Sequence, residues 1–220
     1  MSSYRIKRMM ALSISLLPTS RLRMLFYSAL MGYRFGARNR LGWQVQIAVE
    51  SFVAGDDVTI RRGNRFIGPI SVNLGDRTLL GINNLIECGE AAAHPKSAHM
   101  GYARSFKTGI NSLIHEDHRF DVYGAISIGD GTWVAGFASQ FLTHGASTMN
   151  RDISIGSQCY LGSAVRFSPG AGVADRVVVG MGAVVTKHIE QPDVVVGGVP
   201  AKVISERTAD DKFVFEKNWT

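Results

Sequence analysis

The sequence predicts a mainly β chain wound as a parallel β-helix of hexapeptide repeats. Two observations carry this expectation. From Ile155 to about Glu190 an apolar residue recurs every six positions, at Ile155, Leu161, Phe167, Val173, Val179 and Val185, and a small residue such as Gly162, Ala174 or Gly180 follows. Three places on stands a second slim residue: Cys159, Val165, Ala171, Val177, Ala183 and Ile189. Period six is neither the 3.6 of a helix nor the alternation of an ordinary strand. It suits a coil of three short flat faces, about eighteen residues per turn, stacked on its neighbours. The aliphatic position points into a narrow interior, the next residue sits at a tight corner, and one coil cannot bury its core alone.

Residues 1–33 read as a basic, amphipathic helical leader. A first helix, about Tyr4 to Leu17, is stopped by Pro18; Ser20 offers an N-cap for a second, which places Leu22, Leu25, Phe26, Ala29 and Leu30 on one face and stops at Gly32. The run Met9–Leu17 is too short to span a bilayer, and no small-residue cleavage site marks a signal peptide. Two compatible readings stay open: peripheral contact with an anionic membrane surface, or a cap on the open end of the solenoid.

The β-helix itself is expected over 34–204. Hexads begin at Phe35-Gly36, Leu41-Gly42, Ile47-Ala48 and Val53-Ala54, slip through a loop around Asp56–Gly63, and resume at Leu74-Gly75, Leu80-Gly81 and Ile86. Cys88–Thr108 and about 115–125 read as excursions, the latter with an insertion at His118–Gly124. A further break at about Gly145–Asp152 precedes the six-hexad block. The count suggests about five to six coils. A charged tail, 205–220, carries Phe213, Phe215 and Trp219 and is expected to fold back on a coil or a neighbouring subunit.

Composition narrows the function classes. With 24 glycines and only six prolines in 220 residues, disorder is not the explanation. Cys88 and Cys159 form no C-x-x-C pair, and nothing demands an oxidising compartment. Eight cations (Arg5, Lys7, Arg8, Arg21, Arg23, Arg34, Arg38, Arg40) precede the first acid, Glu50, so the net +6 leaves the rest of the chain at −2. The basic residues lie in an apolar helical leader without a nucleic-acid motif, so no nucleic-acid partner is expected. His144, at the mouth of a break in the hexads, projects a side chain suited to taking a proton at neutral pH, or is a surface histidine without a role.

The segments ISIGDGTWVAGFASQFLTHG, ISIGSQCYLGSAVRFSPG, VVVGMGAVVTKHI and VVVGGVPAKVI resemble the hexapeptide-repeat acyltransferases, above all the galactoside, maltose and polysaccharide O-acetyltransferases. The likeness is good over about 106–205; the N-terminal third matches only in hexad pattern and leader. It implies a left-handed β-helix, a homotrimer with active sites between adjacent subunits, and acetyl-CoA as donor without a metal. The acceptor would be a sugar or glycan, and the location cytoplasmic. His144 matches the family's catalytic histidine, a general base for direct attack on the thioester. Asn111, Glu116 and Asp117 match acceptor-side positions, with the acids able to bind hydroxyls or orient His144. Ser163 and Gly182 match positions along the pantetheine arm, Thr186 and Lys187 the pair reaching the CoA phosphates, and Lys202 a basic position near the adenosine phosphate. Trp133 and Tyr160 would line a subunit or pantetheine wall. Ser163, Gly182, Thr186 and Lys187 together would mark one outer face as the CoA track.

Two other classes compete. The γ-type carbonic anhydrases share the coil and hold a metal between three histidines; here His94, His99, His115 and His118 are the candidates, but His94 and His99 flank an irregular stretch with Pro95, where a metal trio needs rigid geometry. A non-catalytic solenoid scaffold would bind no CoA and make His144 inconsequential.

Overall fold

The inward hexad positions are buried throughout: Ile155, Leu161, Phe167, Val173, Val179 and Val185 make one set, and Cys159, Val165, Ala171, Val177, Ala183 and Ile189 the other. The structure, a computed structural model, describes residues 3–145 and 149–208. It is a left-handed parallel β-helix with three faces. One face stacks strands Leu85–Glu87, Arg119–Asp121, Gln140–Leu142, Arg166–Phe167 and Val184–Val185. A second stacks Ser105–Thr108, Ala125–Ile128, Ile153–Ile155, Gly172–Val173 and His188–Ile189. The third runs from Arg40–Leu41 to Val194–Gly197. Two long strands, Gln46–Ala54 and Arg65–Leu74, turn the corner between the first and second faces.

Several expectations change. The third face holds eight parallel strands, so there are more coils than the five to six expected. Asp56–Gly63 is no loop: Thr59–Ile60 pairs in register between Arg40–Leu41 and Leu79–Leu80. The slip belongs to the bulge between Val49 and Ser51, which turns Phe52 and Ala54 inward and Val53 partly outward. The first excursion ends by Arg104, because Ser105–Thr108 pairs in full register with 71–74 and 125–128. Residues 115–125 form no excursion, since Arg119–Asp121 is an ordinary strand between Leu85–Glu87 and Gln140–Leu142; the insertion expected at His118–Gly124 shrinks to two residues, because Phe120 and Ile128 stand eight apart where their counterparts Phe167 and Val173 stand six apart. The hexad rule fails in this coil for two reasons: a polar residue, His118, stands where a slim apolar one is expected, and two extra residues separate Phe120 from Ile128.

That histidine belongs to a ladder inside the corner between the third and first faces. Asn64 Oδ1 accepts from Asn84 N–H at 3.0 Å, Asn84 Oδ1 from His118 N–H at 2.9 Å, and His118 Nδ1 from Ser139 N–H at 3.1 Å. Each side chain satisfies a corner amide that the strand ladder leaves open. Beside it the first face stacks aromatic rings: Phe120 on Phe141 at 4.6 Å and Phe141 on Phe167 at 5.2 Å between centroids.

The leader forms helix α1, Ser3–Ser15, and helix α2, Ser20–Met31. Thr19 rather than Ser20 caps α2, its hydroxyl accepting from Leu22 N–H; Ser20 Oγ instead accepts from Leu41 N–H at 2.7 Å. Gly32, at φ 69°, closes the helix as expected. The pair covers the open first coil. Tyr27 Oη donates toward Ala11 O and Val45 O and accepts from Ile47 N–H, Tyr33 Oη bridges both main-chain groups of Val49, and Arg23 donates to Leu41 O and Leu17 O. These side chains satisfy the exposed strand edge that a solenoid end otherwise presents. Burial pushes the Tyr33 hydroxyl up to about 12, so it stays a neutral donor. At the other end Lys202–Glu206 folds back antiparallel on Val194–Gly197. Phe213, Phe215 and Trp219 lie outside the described residues.

Candidate active site

His144 follows strand Gln140–Leu142 at the corner where the first face passes to the second. Thr143 fixes its base: Thr143 N–H donates to Asp121 O at 3.2 Å, and Thr143 Oγ1 accepts from Gly124 N–H at 2.8 Å. The exposed His144 ring stacks on Tyr123, 4.5 Å between centroids and 20° apart. Tyr123 meets Tyr102 edge-on at 5.1 Å, and the Arg151 guanidinium lies 4.9 Å over the Tyr102 ring. Arg151 is only 4% exposed, and its Nη1 donates to Met100 O at 2.9 Å. The segment 89–104 and Arg151 are thereby joined to the His144 ring through one aromatic and cationic stack, which holds the imidazole in place.

Asp121 is the carboxylate beside His144. It accepts from the His144 main-chain N–H, and burial holds its carboxyl above the ordinary range while the imidazole pulls it back down. Below it on the outer surface of the first face, a cleft of about 320 Å³ is lined by Glu87, Arg119, Asp121, Gln140 and Leu142. Glu87 and Arg119 form an ion pair across it. Donors and acceptors thus alternate along a cleft that includes the His144 neighbour Asp121.

The expected acceptor residues lie elsewhere. Glu116 and Asp117 are exposed at the corner between the third and first faces, a full face away from His144, and Asp117 takes φ 55° in the turn. Within one subunit they do not reach His144, whose neighbouring carboxylate is Asp121. Asn111 lies at the remaining corner, where its Oδ1 accepts from Arg77 Nε at 2.6 Å.

The expected CoA residues divide likewise. Thr186 and Lys187 are exposed at the His144 corner, two coils on. Ser163 and Gly182 stack at the corner of Asp117, Gly182 N–H donating to Ser163 O at 2.9 Å. These four therefore do not share one outer face within a subunit. Gly182 has φ 72° and open space where a side chain would stand, so the turn itself calls for glycine. Trp133 and Tyr160 meet edge-on at 5.8 Å on the third face, and Lys202 is exposed on the antiparallel strand.

The histidines of the metal alternative are dispersed. His94 Nδ1 accepts from Lys96 N–H, His115 packs 5.4 Å from Trp133, and His118 is sealed in its corner ladder. Among the described residues no three His, Cys, Asp or Glu side chains converge as a metal site. Neither cysteine suits a nucleophile: both are buried, and burial pushes Cys159 up to about 11 and Cys88 to about 12.

Sequence comparison resolves the class. The chain is 30% identical over 149 residues to the galactoside O-acetyltransferase of Escherichia coli (strain K12), an alignment covering 64% of this chain and 69% of that protein. The chain belongs to the hexapeptide-repeat acetyltransferases. A chloramphenicol acetyltransferase of Agrobacterium fabrum is 41% identical over 70 residues, 31% of this chain and 33% of that one. Among solved structures, the polySia-specific acetyltransferase NeuO superposes with a TM-score of 0.60 at 18% identity, covering 83% of this chain and 88% of that one. This last likeness is one of fold. No family model matches the sequence. As a hexapeptide-repeat acetyltransferase the chain is an enzyme.

Proposed function

We propose that this acetyltransferase moves the acetyl group of acetyl-CoA to a hydroxyl of a sugar or glycan, with His144 as general base. The observation that carries the reading is the imidazole held against Tyr123 at the lip of a polar cleft, with Asp121 beside it. His144 takes the proton of an acceptor hydroxyl. The oxygen attacks the thioester carbonyl carbon directly. As the tetrahedral intermediate collapses, the C–S bond breaks, the imidazolium returns its proton to the departing sulfur, and an acetyl ester and free CoA remain. The oxyanion needs a main-chain N–H or polar side chain of the corner. No acyl-enzyme forms, in keeping with two buried, high-pKa thiols.

The polyhydroxyl character of the acceptor rests on the cleft chemistry. Glu87, Asp121 and Gln140 offer carboxylate and amide oxygens to hydroxyl donors, and Arg119 offers a cation to ring or hydroxyl oxygens. Glu116 and Asp117, at the same corner as Ser163 and Gly182, serve the acceptor held by the neighbouring subunit's His144, whereas Asn111 lies at the remaining corner, tied to Arg77. A homotrimer explains the divided CoA residues: the His144, Thr186 and Lys187 corner of one subunit faces the Ser163 and Gly182 corner of the next. Trp133 and Tyr160 then flank the pantetheine arm, with Lys202 near the adenosine phosphate. Acetyl-CoA places the reaction in the cytoplasm.

The test is release of free thiol from acetyl-CoA in the presence of a panel of mono- and oligosaccharides, with the acetylated product identified by mass. Acceptor-dependent thiol release and an ester-linked acetyl group are expected. Release that no hydroxylated acceptor stimulates, or acetylation of amines only, overturns the reading.

A further inference from the structure

The helical leader uses one side to cover the first coil and leaves the other side apolar. Along α1 and just past its end the outward residues include Ile6, Met9, Leu12 and Leu16; along α2 they include Leu25, Phe26 and Leu30. Met9, Leu25 and Leu30 are 62%, 61% and 56% exposed. Between the helices lies an apolar groove of about 500 Å³ bounded by Ile6, Met9, Met10, Leu17, Phe26 and Leu30. Isolated apolar residues on a surface are ordinary, but a contiguous face of this kind marks a contact surface.

The charge around the face says what covers it. No side-chain carboxylate occurs in the first 49 residues, while Arg5 and Arg21 are exposed on the same two helices; Arg8 turns instead to a cleft in the β-helix wall beside Glu87. Cations flanking aliphatic side chains without acids suit a surface of anionic headgroups over acyl chains. Neither helix is long and apolar enough to cross a bilayer. The polar anchors Arg23, Tyr27 and Lys7 all point the opposite way, into the first coil, so the outer face is free to lie flat while the helices stay fixed to the enzyme.

We propose that the outer face of α1 and α2 docks this enzyme on an anionic lipid bilayer, with Met9, Leu25, Phe26 and Leu30 entering the headgroup region and Arg5 and Arg21 at the phosphates. The proposal is independent of the identity of the acceptor. It places the end of the β-helix that carries the leader at the membrane.

The test is co-sedimentation of the full-length enzyme with vesicles of phosphatidylcholine alone and of phosphatidylcholine mixed with phosphatidylglycerol. Binding to the mixed vesicles is expected, weakened about fivefold for each arginine removed at Arg5 or Arg21 and released at about 1 M salt, where the Debye length is about 3 Å. Leu25→Glu and Met9→Glu, both at exposed positions, should each weaken it about tenfold or more while the helical circular dichroism signal is kept. Equal binding to neutral and anionic vesicles, no binding to either, or binding indifferent to both glutamates overturns the proposal. So does a fall in assembly state of Leu25→Glu in sedimentation velocity, since a second copy of the chain would then cover the face.

Discussion

Acidification from pH 7 should destabilise the folded chain chiefly through one buried imidazole. His118 is 1% exposed, and burial, assisted by neighbouring His115, lowers its pKa from 6.5 to about 4. Between those values the unfolded chain binds a proton that the folded chain does not. The contribution is therefore fully present above about pH 6.5 and is lost progressively as the pH falls toward 4. At 1.36 kcal/mol per unit, the loss approaches about 3 kcal/mol. His118→Asn removes the titration while its side-chain oxygen can still accept the Ser139 N–H. Urea unfolding of both proteins at fixed concentration, from pH 7.5 to 4.5, gives the difference directly. The wild type should fall more steeply by most of that amount. Parallel curves would refute the buried, neutral imidazole. The variant should also keep acetyl transfer at pH 7, because His118 faces the corner interior, away from His144; loss of turnover in a folded His118→Asn enzyme would shift the base to the wrong histidine.

Other consequences are simpler to read. Tyr123→Leu removes the ring that holds His144 and should lower kcat about tenfold with little change in KM for acetyl-CoA, whereas Tyr123→Phe keeps the stack and the rate; equal losses in both would deny the stacking role. Lys187→Ala should raise KM for acetyl-CoA about five- to tenfold, with the effect vanishing for an acetylated pantetheine lacking the nucleotide phosphates. Phe141→Ala opens the ring stack and should cost about 3–5 kcal/mol in thermal or urea unfolding; a loss below about 1 kcal/mol would contradict the packing.

The fold was legible where the hexads were clean. Ile155–Glu190 sets the inward positions because each coil repeats one steric demand, a branched aliphatic followed by a small corner residue. Legibility failed at two kinds of place. The bulge at Val49–Ser51 shifts alternation within one strand without any turn signal, so the irregularity was displaced onto Asp56–Gly63. In the coil at 113–128, His118 fills an interior corner as a hydrogen-bond acceptor, which period-six hydrophobicity cannot register. That lapse also hid Asp121 and Tyr123, whose closeness to His144 depends on stacking neighbouring coils rather than on spacing along the chain. His144 stands at a break in the repeat, which marks it only as a candidate; its role as base comes from the resemblance to the acyltransferases. The separation of Ser163 and Gly182 from Lys187 was equally invisible, because equal spacing along a three-faced coil distributes residues to different corners.

The most direct measurement is the rate of acceptor-dependent thiol release by wild type and His144→Ala, each at saturating acetyl-CoA, on protein of equal folded content. If His144 takes the acceptor proton, the variant should lose about 10²–10⁴-fold in kcat while still binding acetyl-CoA. Full turnover by His144→Ala would contradict the account at its centre.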